Sequence, residues 1–301
     1  MKTLSAPLRV YWDIAPEESG GLSPVRALTL AEELAALKVF FVTLGLTGGR
    51  RDDTAGIVAA LKKGGSRVTV SVPDVGTFPG WDAVAGLSVL DLRPVDAGTL
   101  GMLLDDVAVS APKGVEVAVS VVPSRSNTAR MLEIFSLAVS RGICIFNLPN
   151  PPLVGGGAGD YILGAPERAA IKAGLEGLLS PLGKDVRLGV HDLFLHQTLA
   201  LPGLGGRIEY AGCQAGDAIA YIGADGLLYP CASWPAPMGD LNISAFRDIW
   251  ADESRQNLRE SLSAAPEDCA ACEEAAVCKG GCRGLALALT GRDGRDPGCD
   301  R

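Results

Sequence analysis

A parallel α/β sheet with covering helices, followed by a smaller cysteine-rich unit, is the architecture this sequence predicts, on three observations. Short apolar runs alternate with helical patterns over the first two thirds of the chain, the arrangement of strand-helix-strand units that build parallel sheets. The stretch ALPGLGG (Ala200 to Gly206) reads as a linker, and the texture changes after it. Seven of the eight cysteines lie beyond that point. Two domains are therefore expected, residues 1–205 and 206–301.

The elements follow in order. LRVYWDI (Leu8 to Ile14) reads as a strand, and LTLAEELAALK (Leu28 to Lys38) as a helix with Thr29 as N-cap and Glu32 three residues on. VFFVTLGL is the next strand, followed by a helix near Ala55 to Lys63 and the strands RVTVSVP and VLDLRPV. A helix around Leu100 to Val107, the strand VEVAVSVVP, a helix from Thr128 to Ser140 and the strand ICIFNL continue the alternation. A helix from Pro166 to Leu179 and the strand RLGVHDLFL complete it. Such a sheet stays open or curls into a full or partial barrel, and periodicity does not separate these. Function is expected at the C-terminal ends of the strands.

From Arg207 onward two β-like runs flank the turn Gly223-Ala224-Asp225-Gly226, a hairpin signal. SAFRDIWADESRQNLRESL reads as one helix capped by Ser244. The dense stretch DCAACEEAAVCKGGCRG, a short helix and the tail DPGCDR follow.

Composition narrows the functional classes. With 301 residues, 48% hydrophobic and 21% charged, the chain is long enough to bury a large core, and no apolar run reaches bilayer length. A net charge of −8 with scattered positive residues disfavours nucleic acid or an anionic membrane as partner. The N-terminus lacks the apolar stretch of a signal peptide, so a cytoplasmic location is expected. In a reducing compartment cysteines serve as metal ligands more readily than as disulfides.

Thiolates are soft ligands suited to zinc or iron-sulfur clusters. Cys269-x-x-Cys272, then Cys278 and Cys282, put four thiols in one segment, and Gly280 and Gly281 allow a tight turn that presents N–H groups to sulfur. Cys213, Cys231 and Cys299 lie outside it, so two interleaved sites become possible. A single zinc ribbon would leave three cysteines unexplained.

The order C-x12-G-x4-C, C-x2-C-x5-C-x3-C and a final C, at Cys213, Gly226, Cys231, Cys269, Cys272, Cys278, Cys282 and Cys299, resembles the SPASM domain of radical S-adenosylmethionine enzymes that modify peptides. The resemblance covers about Gly212 to Cys299. It implies one [4Fe-4S] cluster on Cys269, Cys272, Cys278 and Cys299, and most of a second on Cys213, Cys231 and Cys282. For the fourth position of the second, three readings stay open: an oxygen ligand such as Asp217, recruitment of Cys144, or an open iron site. Solvent or an unrecognised ligand is the bland alternative.

The first domain resembles the partial (β/α)6 barrel of the same superfamily. Active members carry C-x3-C-x2-C in the first loop; here Ala15 to Pro24 contains no cysteine. Gly48 and Gly49 survive from the cofactor-binding glycine motif, but Arg50 and Arg51 follow where the family has Glu-Pro. Three thiolates have no cheap oxygen substitute. S-adenosylmethionine is therefore not expected as a cofactor, and no catalytic residue is assigned. Cys144 reads as a core cysteine, His191 and His196 as structural or surface residues, and Arg50 and Arg51 as solvated charges. The glycines from Gly155 to Gly159 match no phosphate-binding motif.

The resemblance therefore implies an accessory iron-sulfur protein, similar to the GeoRSP-type SPASM partner proteins. It would serve electron transfer or substrate-peptide presentation for a separate radical enzyme acting on a ribosomally made peptide. The alternatives are an active enzyme using an atypical or open-site cluster, and a zinc-stabilised binding module.

Overall fold

A computed structural model describes residues 4–153, 157–199 and 212–300. Seven parallel strands, β1 (Arg9–Ile14), β2 (Phe41–Leu46), β3 (Arg67–Val72), β4 (Val89–Leu92), β5 (Glu116–Ser120), β6 (Ile145–Leu148) and β7 (Arg187–Val190), lie side by side in sequence order. The helices α1 (Pro24–Ala36), α2 (Thr54–Lys63), α3 (Ala97–Met102), α4 (Thr128–Ser140), α5 (Ala165–Leu179) and α6 (Leu193–Leu199) connect or follow them. This is the parallel α/β sheet the alternation predicts. β7 ends the sheet on one side, so among the described residues the barrel stays open.

Alternation within the strands sorts the two faces. On β1, Val10, Trp12 and Ile14 are buried in the main core, while Tyr11 and Asp13 point to the opposite, polar face. There Asp91 of β4 accepts from the Ser71 hydroxyl at 2.7 Å and from Arg93 Nε at 2.9 Å, and also from the Ser120 hydroxyl. Asn147 Nδ2 extends the chain to Ser120 Oγ at 3.1 Å. These groups satisfy one another across the inner face, as buried polar groups must.

The C-terminal third joins the same sheet. β8 (Ile219–Ile222) pairs in parallel with β1, Arg9 opposite Ile219, and β9 (Leu227–Tyr229) and β10 (Gly239–Asp240) continue antiparallel from it. Beyond them come α7 (Phe246–Ala251), α8 (Glu253–Ser263), α9 (Ala275–Cys278) and α10 (Arg283–Thr290). The linker Ala200 to Gly206, and with it the boundary expected between residues 205 and 206, lies outside the described residues.

Several element ends differ from the sequence expectation. α1 starts at Pro24, with Ser23 Oγ accepting from the Arg26 N–H, so Ser23-Pro24 is the start signal. Thr29 lies inside the helix, its hydroxyl bonded back to Val25 O at 2.9 Å. The helix read through 244–262 breaks at Asp252, which adopts ψ 146° and caps α8 by accepting from the Ser254 N–H. Ser244 caps neither piece; Ala245 precedes α7 without a side-chain cap. The LFL (Leu193 to Leu195) of the last predicted strand is helical in α6, and the helix near Leu100 ends in a π turn over Leu103–Val107.

Candidate metal centre

The cysteines of the C-terminal third fall into two groups around two cavities. Cys269 sits in a 3-10 turn, Cys278 ends α9, and both line a cavity of about 440 Å³ together with Cys272 and Cys299. Cys213, Cys231 just after β9 and Cys282 at the head of α10 line a second cavity, of about 160 Å³. Its other wall is the polar face of the sheet: Tyr11, Asp13, Arg93 and His191, with Tyr221 from β8.

The five residues from Cys278 to Cys282 join the sites. Gly280 lines the four-thiol cavity and Gly281 the three-thiol cavity. Gly281 has φ +69°, and a Cβ there would lie 2.7 Å from the Asp296 side chain. That carboxylate is fully buried and accepts from the N–H of Cys282 at 2.7 Å and of Gly298 at 2.8 Å. Asp296 thus pins the loops bearing Cys282 and Cys299. Burial is the main cause that pushes its pKa up, to about 6. The tail is further held by α5, where buried Arg168 donates to Gly298 O at 2.9 Å and pairs with Asp300.

Burial favours the protonated form of five of these thiols, Cys213, Cys231, Cys269, Cys278 and Cys282. It pushes Cys213 and Cys278 up, Cys282 far up, and Cys231 up to about 12. Backbone N–H groups oppose this at four sulfurs: Ala215 at Cys213, Ser233 and Trp234 at Cys231, Gly280 and Gly281 at Cys278, and Leu285 at Cys282. Soft sulfurs around a cavity, with N–H donors at the sulfurs, fit an iron-sulfur cluster held by thiolates. Loading such a site exchanges thiol protons for iron. No group of three or more His, Cys, Asp or Glu among the described residues is arranged around a single metal ion.

Two of the readings for the fourth ligand of the three-thiol group are not met. Asp217 does not line the cavity, and its Oδ1 accepts from the Leu4 N–H at 2.8 Å. Cys144 precedes β6, while the cavity lies beyond its far end at Pro149, about 16 Å of strand away. Cys144 is half-buried at the opposite rim of the sheet rather than deep in the core. His191 does line the cavity, with Nε2 3.2 Å from Tyr11 Oη, and His196 lies in α6 away from it. The Tyr221 hydroxyl donates to Asp13 Oδ2 at 2.7 Å.

The first loop is closed by a side chain that the sequence reading placed in solvent. Arg51 is only 6% exposed. Its Nη1 donates to Ala15 O and Leu22 O, both at 2.7 Å, and its other nitrogens pair with Asp53. Arg168, Arg255, Arg259 and Arg283 are also buried. Sequence reasoning missed all five, since arginine is mostly exposed and their backbone partners are mostly remote in sequence.

Seven thiols lining two cavities beside an open parallel sheet define the class: an α/β protein with a thiol-rich layer fit for metal. Residues 213–273 match the SPASM family, described as an iron-sulfur cluster-binding domain. Cys278, Cys282 and Cys299 lie beyond the matched segment. The whole chain is similar in fold to Streptococcus suis SuiB bound to S-adenosylmethionine, at TM-score 0.70 and 13% identity, covering 99% of this chain and 78% of that one. It is similar also to anSMEcpe with bound AdoMet, at TM-score 0.64 and 13% identity, over 96% of this chain and 94% of that one. An AdoMet-dependent heme synthase of Methanosarcina barkeri is 34% identical over 85 residues, which span 27% of this chain and 23% of that protein. Residues 213–273 therefore carry a SPASM iron-sulfur domain, on a chain that shares its fold with SuiB and anSMEcpe.

Proposed function

We propose that this chain is an accessory iron-sulfur protein for a separate radical S-adenosylmethionine enzyme that modifies a ribosomally made peptide. It would divide into a barrel domain, residues 1–205, and a cluster domain, residues 206–301, and work in the cytoplasm. Cys269, Cys272, Cys278 and Cys299 would hold one [4Fe-4S] cluster. Cys213, Cys231 and Cys282 would hold a second with a non-cysteine or open fourth position. When bound, such clusters supply one-electron transfer.

The observation that carries the reading is the first loop. It has no thiol, and the Arg51 guanidinium ties its two ends together through Ala15 O and Leu22 O. Tyr11, Asp13 and Arg93 of the barrel, with Tyr221 of β8, remain to receive a substrate side chain beside the three-thiol site. A peptide as that substrate is supported by the structural similarity to SuiB bound to its precursor peptide SuiA.

Anaerobic reconstitution, iron and sulfide analysis and a cofactor-cleavage assay test the reading. Two clusters per chain without formation of 5′-deoxyadenosine are expected. Clusters with rapid 5′-deoxyadenosine formation would overturn it, and colourless protein containing zinc would replace it with a structural binding module.

One observation favours a second reading. The three-thiol cavity is continuous with the barrel interior, so an open position there would face a bound substrate, as an enzyme with an atypical cluster requires. A cluster spectrum that changes on adding substrate or S-adenosylmethionine would favour it.

A further inference from the structure

α8 carries Arg255 and Arg259 one turn apart, both buried. Arg259 is 3% exposed, and its Nη1 donates to Cys213 O at 2.7 Å and Ala215 O at 2.9 Å. Its Nε is buried with no hydrogen-bond partner among the described residues. No carboxylate lies within ion-pair distance of it among those residues either. Three other buried arginines differ: Arg51 pairs with Asp53, Arg168 with Asp300 and Arg283 with Asp293.

A guanidinium taken out of water without a counter-ion is strongly unfavourable, because neutral carbonyls replace only part of its hydration. The fold nevertheless holds Arg259 against the main chain of Cys213. On that side stand the thiols of Cys213, Cys231 and Cys282, which line one cavity. Thiolates around iron would supply the anion that the protein chain itself does not.

We infer that Arg259 is the built-in counter-cation of the cluster at Cys213, Cys231 and Cys282, and that it raises that cluster's reduction potential. The inference rests on the reading that this site holds a cluster. Reduction adds one negative charge to the site. A fixed cation in a low-dielectric setting stabilises the reduced form more than the oxidised form. Arg259 acts through the field at the site and through the position of the Cys213 loop, so it is a positioning and tuning residue rather than a catalytic one.

The test compares reconstituted wild type with Arg259→Met and Arg259→Lys, by iron and sulfide content and by EPR-monitored redox titration. The three-thiol signal is assigned by its loss in Cys231→Ser. In Arg259→Met, the reduced-to-oxidised ratio at the wild-type midpoint should fall about tenfold, a shift of about 59 mV for a one-electron couple. Arg259→Lys should stay close to wild type, and the four-thiol cluster should not move in either variant. Loss of the three-thiol cluster from Arg259→Met but not from Arg259→Lys would also uphold the inference. It is overturned if Arg259→Met loads both clusters with unchanged potentials, if both clusters shift alike, or if both variants lose the three-thiol cluster equally. A wild type with no cluster at Cys213, Cys231 and Cys282 would overturn both this inference and the assignment it rests on.

Discussion

Arg51 Nη1 donates to the carbonyl oxygen of Leu22 at 2.7 Å across 29 residues of chain. The same nitrogen reaches Ala15 O, while the rest of the guanidinium pairs with Asp53. One side chain thus closes the loop from both ends. Arg51→Met would leave two carbonyls unpaired and Asp53 without its cation. A loss of about 3–5 kcal/mol in unfolding free energy is expected, the range for breaking a buried pair. Arg51→Lys should recover only part of it, since an ammonium lacks the planar fork. Chemical denaturation of the three proteins measures the difference, and an unchanged midpoint in Arg51→Met would show that the loop does not depend on this tie.

Gly281 sits between the sites at φ +69°, with the Asp296 side chain filling the place a Cβ would take. Gly281→Ala should cost more than the roughly 1–2 kcal/mol of the left-handed conformation alone, because its Cβ would drive Asp296 off the Cys282 N–H. Gly291, at φ +71° with nothing within 4 Å of an added Cβ, is the control. The difference between Gly281→Ala and Gly291→Ala isolates the clash. Iron bound at the three-thiol site should fall only in Gly281→Ala, as iron and sulfide analysis would read.

How much of this was legible in the sequence depends on where each partner lies. The strands are written locally, in the alternation that buries Val10, Trp12 and Ile14 and leaves Tyr11 and Asp13 on the other face. The cysteine spacing points to thiolate chemistry, but spacing alone does not sort Cys278 and Cys282, four residues apart, into different cavities. That division comes from a turn through Lys279, Gly280 and Gly281, all at positive φ. Ser23-Pro24 competes with the Thr29…Glu32 capping pattern, and only the tertiary arrangement decides between them. The burial of Arg259 is invisible locally because its acceptors, Cys213 O and Ala215 O, are more than forty residues away.

Burial raises the pKa of Asp13 above its usual carboxylate value, against the opposing Tyr221 hydrogen bond and the Arg93 charge. The native state therefore keeps a proton that the unfolded chain has released, over the interval from the ordinary aspartate value of 3.8 up to the raised one. The unfolded state binds fewer protons there, so stability falls as pH rises through that window. Asp13→Asn removes the titration. Subtracting its stability-pH curve from that of wild type, both without metal, should leave a fall confined to the window and a flat difference above it. A difference that rises with pH would contradict the burial.

Arg168 links the barrel to the four-thiol site. From α5 it donates to Gly298 O and pairs with Asp300, on either side of Cys299. Asp300 is 54% exposed, so the ion pair itself adds little, and the buried hydrogen bonds to carbonyls carry most of the effect. Arg168→Met should cost about 1–3 kcal/mol, the penalty for stranding buried acceptors. Its sharper consequence is local. With Cys299 held only through Asp296 and no longer from α5 as well, a chelator should strip iron faster from the site of Cys269, Cys272, Cys278 and Cys299, while the site of Cys213, Cys231 and Cys282 keeps its wild-type rate. Asp296 still holds the Cys282 N–H in that variant, so the two sites should separate in time. Equal acceleration at both sites would mean that Arg168 supports the whole C-terminal layer rather than the Cys299 tail.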